Sequence, residues 1–240
     1  MENRNYKCPD CKDTGFILTY DDAGYCYART CTCRVLREAK IRLEQSGLSK
    51  EFERKSLDNY ETFNIPQLED AKMTVIQYIE TFADRRYLLA NSLMLCGQAG
   101  AGKTHLGTAC CMQLINKGIP VVYMGYREEI TRLKSIVMDE LSYAENMNRY
   151  KCAQVLYIDD FLKGKITEAD TNVIYEIVNY RYNNRLPVIV STEKTLDELV
   201  NYDEAIGSRL VDMCYGHIIV FEGEELNYRL YRGLINRGSV

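Results

Sequence analysis

The sequence predicts an α/β protein: a parallel sheet flanked by helices, with a small cysteine-rich module at its N-terminus. Three observations carry that prediction. Five short apolar runs, Leu93–Cys96, Pro120–Met124, Val155–Ile158, Pro187–Ser191 and His217–Phe221, alternate with longer amphipathic stretches such as Lys103–Lys117 and Asp170–Arg185. The runs lack polar–apolar alternation, as strands buried on both faces do, and strand–helix alternation indicates a doubly wound sheet. The first run leads directly into Gly97-Gln98-Ala99-Gly100-Ala101-Gly102-Lys103-Thr104, a full G-x-x-x-x-G-K-[ST] element. Five of the ten cysteines, Cys8, Cys11, Cys26, Cys31 and Cys33, lie in the first 33 residues.

Composition sets the bounds. A chain of 240 residues holds one large domain, or one domain and a small module. With 46% hydrophobic and 27% charged residues it is globular, not disordered. A net charge of −4 excludes a bulk polycation, so any nucleic-acid contact must be a local patch. Two histidines, His105 and His217, exclude a multi-histidine metal site. The N-terminal residues lack the apolar stretch of a signal peptide. No apolar run approaches the roughly 18 residues of a spanning helix. The chain therefore reads as cytoplasmic, without a membrane partner. In that compartment close-set cysteines bind metal more often than they form disulfides.

The elements follow in order. Residues 1–33 form the cysteine module. Cys8-x-x-Cys11 and Cys31-x-Cys33 supply four thiolates, the number a tetrahedral Zn²⁺ site needs. Cys26 is a fifth candidate, able to replace Cys31 or to stay free. So few residues cannot build a core alone, which makes the expected role of the metal structural. Residues 34–56 read as a helical linker, with Gly47 as a C-terminal stop. From Cys31 to Lys55 basic residues outnumber acidic ones by seven to four. Residues 57–240 form the α/β domain. Its cysteines, Cys96, Cys110, Cys111, Cys152 and Cys214, read as small buried apolar residues.

Within that domain, residues 97–104 predict a phosphate-binding loop between a strand and a helix. Glycines let backbone N–H groups converge on phosphate oxygens, and the helix N-terminus adds partial positive charge. Lys103 is the expected β- and γ-phosphate ligand, and Thr104 the expected Mg²⁺ ligand. His105 reads as a bystander. The run Val155–Ile158 ends in Asp159 and Asp160, which a parallel sheet places in its ligand crevice. Asp159 is placed to hold the Mg²⁺ hydration shell, and Asp160 to orient an attacking water.

These motifs resemble the AAA+ superfamily, specifically the helicase loaders of the DnaC/DnaI type and the related ATPase helpers of insertion-sequence transposition. The likeness runs from about Leu57 to the end. It rests on the phosphate loop, Ile158-Asp159-Asp160-Phe161, Pro187-Val188-Ile189-Val190-Ser191-Thr192-Glu193, Leu196-Asp197-Glu198-Leu199 and Ile206-Gly207-Ser208-Arg209-Leu210. The N-terminal Cys-Pro-Asp-Cys and Cys-Thr-Cys-Arg segments are also similar to those of many loaders.

The resemblance implies a five-stranded sheet in the order 5-1-4-3-2 and binding of ATP with Mg²⁺. It implies weak ATP hydrolysis, stimulated by oligomerisation or DNA. Arg209 resembles an arginine finger acting on a neighbouring subunit of an ATP-bound homo-oligomer. Thr192 or Glu193 fills the sensor-1 position, where most relatives carry Asn or Asp. Asp160 stands where the superfamily usually has Glu. The 19 residues after Phe221 leave no room for a full helical lid, so Arg229 or Arg232 is left to act as sensor 2. The implied partners are a replicative hexameric helicase and single-stranded DNA. The Tyr123-Met124-Gly125-Tyr126-Arg127 and Lys163-Gly164-Lys165 segments are the candidate DNA contacts. A transposition helper, or a zinc adaptor with a structural nucleotide site, are the rival readings.

Overall fold

The computed structural model describes residues 6–21, 25–48 and 54–230. An antiparallel hairpin, β1 (Phe16–Tyr20) and β2 (Cys26–Thr30), pairs Phe16 with Thr30 and Tyr20 with Cys26. Helix α1 (Thr32–Ser46) follows and ends at Gly47 in the left-handed region, φ 84°. The remaining elements alternate. They are α2 (Pro66–Arg85), β3 (Leu93–Gly97), α3 (Lys103–Asn116), β4 (Val121–Gly125), α4 (Tyr126–Ser135), α5 (Glu140–Lys151) and β5 (Val155–Phe161). Then come α6 (Glu168–Asn183), β6 (Val188–Thr192), α7 (Leu196–Tyr202), α8 (Glu204–Met213) and β7 (Ile218–Phe221).

The five strands β3 to β7 form one parallel sheet in the order β4-β5-β6-β3-β7. Numbered within the sheet, this is the 5-1-4-3-2 order that the resemblance implied. Successive strand residues feed opposite cores, because side chains alternate across a sheet. Leu93, Leu95, Val155 and Tyr157 pack beneath α2 and α3. Met94, Cys96, Leu156 and Ile158 pack against the helices from α4 to α8. The central strands β3, β5 and β6 are therefore buried on both sides, which is why their sequences read as continuous apolar runs, while the edge strands β4 and β7 are partly covered.

The helices carry their own signals. Pro66 opens α2, whose Leu68, Ala71, Val75, Tyr78, Ile79 and Phe82 form one buried stripe. Thr167 with Asp170, and Thr195 with Glu198, close reciprocal capping boxes on α6 and α7. The linker helix α1 lies against α3 and β4, and Leu48 just beyond it joins the core under α3. Residues 49–53 of the expected linker, and Arg232, lie outside the described residues.

One expectation needs correction. Cys152 is exposed, whereas Cys96, Cys110, Cys111 and Cys214 are buried. It caps the C-terminal end of α5, beyond the reach of either core. Arg181, placed by sequence in an amphipathic helix, is fully buried. Its guanidinium donates to the carbonyls of Tyr150, Ala153 and Pro187 at 2.8, 2.9 and 2.6 Å, tying α5 to the start of β6. Burial pulls its pKa down to about 9. Among the described residues, no helix is long and apolar enough to cross a membrane.

Candidate functional site

The phosphate-loop segment leaves the C-terminal end of β3 and enters α3. Gly97 has φ 105°, and a Cβ there would lie 2.3 Å from the Phe221 carbonyl of β7, so only glycine fits. Lys103 folds back over the loop, its Nζ donating to the carbonyls of Gly97 at 2.7 Å and Gln98 at 2.5 Å. Burial lowers its pKa from the ordinary lysine value, with Glu193 and Asp160 pulling the other way.

Asp159 is the hub. Its Oδ1 accepts from the Thr104 hydroxyl at 3.0 Å, from Tyr157 at 2.7 Å and from Ser191. Its Oδ2 accepts from Tyr123 at 3.3 Å. A nearly buried carboxylate thus gathers four hydroxyl donors, drawn from α3, β4, β5 and β6. Thr104 and Asp159 form a pair of hard oxygen donors beside the loop, the donor type that suits Mg²⁺.

Asp160 faces the opposite way from Asp159. It sits at φ 55°, its amide donates to Ser191 Oγ at 3.0 Å, and its carboxylate meets Lys163. Thr192 and Glu193 also diverge. Thr192 is buried and donates to the Phe161 carbonyl at 2.7 Å. Glu193 turns towards the nucleotide pocket.

A pocket of about 370 Å³ opens over the loop. Gly100, Ala101, Gly102, Lys103 and Thr104 form its floor, and Asp160 and Glu193 one wall. Gly97, Gln98, Ala99, Asp159 and Thr192 do not line it. Two further walls complete it, and of their residues only Arg229, one of the two sensor-2 candidates, was foreseen. Tyr60, Phe63 and Ile65 come from the segment before α2, and Leu226, Tyr228 and Arg229 from the segment after β7. Phe63 and Tyr228 stack, with centroids 5.5 Å apart. The Tyr228 amide donates to the Gly100 carbonyl at 3.2 Å, and the Gly223 amide to Gln98 Oε1 at 3.2 Å. Residues 222–230 therefore cross the phosphate loop as a strap. His105 reaches Ser56 O and Asn59 Oδ1 and meets the Tyr60 ring edge-on, tying α3 to the segment before α2.

Arg209 lies outside this pocket. It is on α8, with its guanidinium over the Tyr175 and Tyr182 rings at 5.7 and 5.5 Å, and donates to Ala205 O at 2.7 Å.

The cysteine module gathers Cys8, Cys11, Cys31 and Cys33, with all four sulfurs within 4.8 Å of one another. The Cys8–Cys31 and Cys11–Cys33 sulfurs are 3.7 and 3.3 Å apart. Tetrahedral Zn²⁺ with bonds of about 2.3 Å sets its sulfurs about 3.8 Å apart, so the set fits that ion. Burial opposes ionisation of Cys11. Hydrogen bonds from Cys33 and the Gly15 amide outweigh it and bring this thiol down to about 7. The Asp13 carboxylate accepts from the Cys8 amide at 2.9 Å and fixes the knuckle. Cys26 is exposed and apart from the cluster.

Of the two tyrosines in the first candidate DNA-contact segment, Tyr123 turns its hydroxyl to Asp159 and keeps part of its surface exposed, and Tyr126 is 3% exposed. Arg127 and Lys165 line a second cavity of about 240 Å³ beside Lys134 and Asp170.

The IstB-like ATP binding protein family matches residues 23–233. The chain is 35% identical over 234 residues to the phage-like element PBSX protein XkdC of Bacillus subtilis (strain 168), covering 94% of this chain and 86% of that protein. It is 22% identical to a relative named as an ATP-binding protein of insertion sequence IS5376 in Geobacillus stearothermophilus, covering 76% of this chain and 71% of that one. The crystal structure of the DnaC helicase loader is similar in fold. Its TM-score is 0.61 at 24% identity, over 72% of this chain and 100% of that chain.

Proposed function

This chain belongs to the IstB-like ATP-binding protein family, and from that premise we propose that it is an ATP-dependent loader placing a replicative hexameric helicase onto single-stranded DNA. The observation that carries the reading is the presence, on one chain, of a nucleotide pocket and a separate four-cysteine module. The pocket is the switch and the module is the grip on the helicase. The domains are the module over 1–33, the linker over 34–56 and the ATPase over 57–240.

ATP lies on the phosphate loop with its base beside the stacked Phe63 and Tyr228 rings. Lys103 leaves the loop carbonyls for the β- and γ-phosphate oxygens, which accept its charge better than a carbonyl does. Bound Mg²⁺ screens charge on those phosphates. Thr104 would ligate the ion, and Asp159 would hold its water shell. Asp160 orients the attacking water, and Glu193 polarises it from the sheet end. Arg209, turned away from its own pocket, serves the pocket of a neighbouring copy, so hydrolysis requires ATP-bound oligomers. Cys8, Cys11, Cys31 and Cys33 would hold Zn²⁺, which would cross-link the knuckle.

A second reading has its own support. The family description and the insertion-sequence relative favour an ATPase helper of transposition. Co-purification of tagged protein from its host, with ATP present, separates the two. Recovery of a hexameric helicase supports the loader. Recovery of a transposase without helicase rejects it.

A further inference from the structure

Tyr157 lies two residues before Asp159 on β5, so both side chains leave the same face of the sheet. Its ring is fully buried, in the core between the sheet and α3. A buried hydroxyl needs a partner, and this one spends its proton on Asp159 Oδ1 at 2.7 Å. The Tyr123 ring meets it edge-on at 5.6 Å and brings its own hydroxyl to Oδ2 of the same carboxylate.

Gly107 gives the independent observation. It sits inside α3, one turn beyond Thr104, with an ordinary helical conformation, so backbone geometry gives no reason for glycine. A Cβ at that position would lie 2.5 Å from the Tyr157 hydroxyl oxygen and 2.7 and 2.9 Å from two ring carbons. Such approaches are far inside van der Waals contact. The missing side chain of Gly107 is the space the phenol occupies.

We propose that Tyr157, admitted by Gly107, is a positioning residue for Asp159 that sets how readily the nucleotide site takes up Mg²⁺. This rests on the reading of Asp159 as the acid facing the Mg²⁺ water shell. Oδ1 shares three hydroxyl donors, so Tyr157 and Ser191 keep the carboxylate solvated and aimed at the ion's water shell, while Thr104 donates its proton to the same oxygen and leaves its lone pairs for the ion. Without the phenol, the carboxylate loses one of its fixed donors and turns more freely. That freedom opposes Mg²⁺ uptake. Outer-shell partners of this kind typically change metal affinity tenfold or more.

The test uses the full chain and a fluorescent ATP analogue titrated with Mg²⁺, alongside ATP turnover at varied Mg²⁺. Tyr157→Phe is expected to raise the Mg²⁺ concentration at half-saturation about tenfold in both assays. Its affinity for the analogue in EDTA is expected to stay within twofold. Asp159→Asn is run beside it. If Asp159→Asn raises the Mg²⁺ requirement and Tyr157→Phe does not, the inference is wrong and the reading of Asp159 survives. If neither variant changes it, both fall. Gly107→Ala keeps the hydroxyl but displaces the ring, and is expected to reproduce the shift of Tyr157→Phe. A Gly107→Ala protein with the parental Mg²⁺ requirement also overturns the inference. The double variant is expected to add little to either single change, because both remove one contact.

Discussion

Lys163 is paired with Asp160: its Nζ lies 3.0 Å from Asp160 Oδ2, and the same ammonium is 3.4 Å from Glu193 Oε1. Burial disfavours the charged amine, but the hydrogen bond and charge of Asp160, with Glu193 behind it, raise its pKa. One loop lysine thus offsets two carboxylates at the rim of a site for a polyanion. In Lys163→Ala those carboxylates repel the phosphates. Exposed pairs contribute about 0.2–1 kcal/mol, so ATP affinity should fall roughly two- to fivefold, and ADP affinity less. Calorimetric titration at low and high salt checks this. Equal losses for ATP and ADP would speak against a γ-phosphate effect.

Asp160 occupies the left-handed region that asparagine also tolerates. Asp160→Asn should therefore melt within a few degrees of the parent and still bind ATP. If the carboxylate orients water as a general base, turnover should drop by about 10²-fold or more. Unchanged turnover in a well-folded Asp160→Asn protein would remove the residue from the mechanism.

Arg209→Ala should retain ATP affinity and lose concentration-dependent hydrolysis by about 10³-fold. Loss of its contact with Tyr175 and Tyr182 costs stability of about 0.5–1 kcal/mol. Mixing makes the test specific. Lys103→Ala subunits, unable to bind nucleotide but carrying Arg209, should restore turnover to Arg209→Ala subunits. Failure to complement would place Arg209 in a purely structural contact.

Metal analysis of the purified chain should give one Zn²⁺ per molecule. Cys8→Ser or Cys31→Ser should lower that content, and Cys26→Ser should leave it unchanged. Strong chelation should unfold the hairpin and leave ATP affinity within twofold, because the cysteine knuckle and the pocket share no residue. Zinc retained in the Cys8→Ser, Cys31→Ser double variant would reject the site.

His217 provides a pH test of the far end of the sheet. It is 3% exposed, abutted by the Arg85 guanidinium and edge-on to Tyr78. Burial first, and Arg85 second, lower its pKa from 6.5 to about 4. Between those values the unfolded chain binds a proton that the folded chain refuses, so folding stability falls as pH drops from about 6.5 to about 4. Above 6.5 this contribution is complete. Thermal melts should show a steeper decline across that window in the parent than in His217→Gln. Equal slopes would assign the acid sensitivity to other groups.

The sheet was legible because both faces of every central strand are buried, which leaves an unbroken apolar run to read. The phosphate loop was legible because glycine, lysine and threonine stand at fixed spacing. The hairpin was not, since β1 and β2 are exposed along nearly their whole length and carry no burial pattern. Tyr157 looked like one more apolar residue of its run; only the two-residue spacing to Asp159 pointed to a shared face. The burial of Arg181 was not legible, because a helix period cannot distinguish a buried cation held by carbonyls of Tyr150, Ala153 and Pro187 from a surface one. The strap over residues 222–230 follows no period at all. Its hydrogen bonds to Gln98 and Gly100 depend on β7 lying beside β3, a relation that spans 125 residues of sequence between Gln98 and Gly223.

That strap has a mechanical consequence. The backbone leaving β7 hydrogen-bonds the phosphate loop before it passes Phe63, so tension applied at Leu230 reaches Tyr228 and Gly100 before it reaches any strand. A load drawn from that end would peel the loop's cover and loosen the triphosphate while the sheet stays whole.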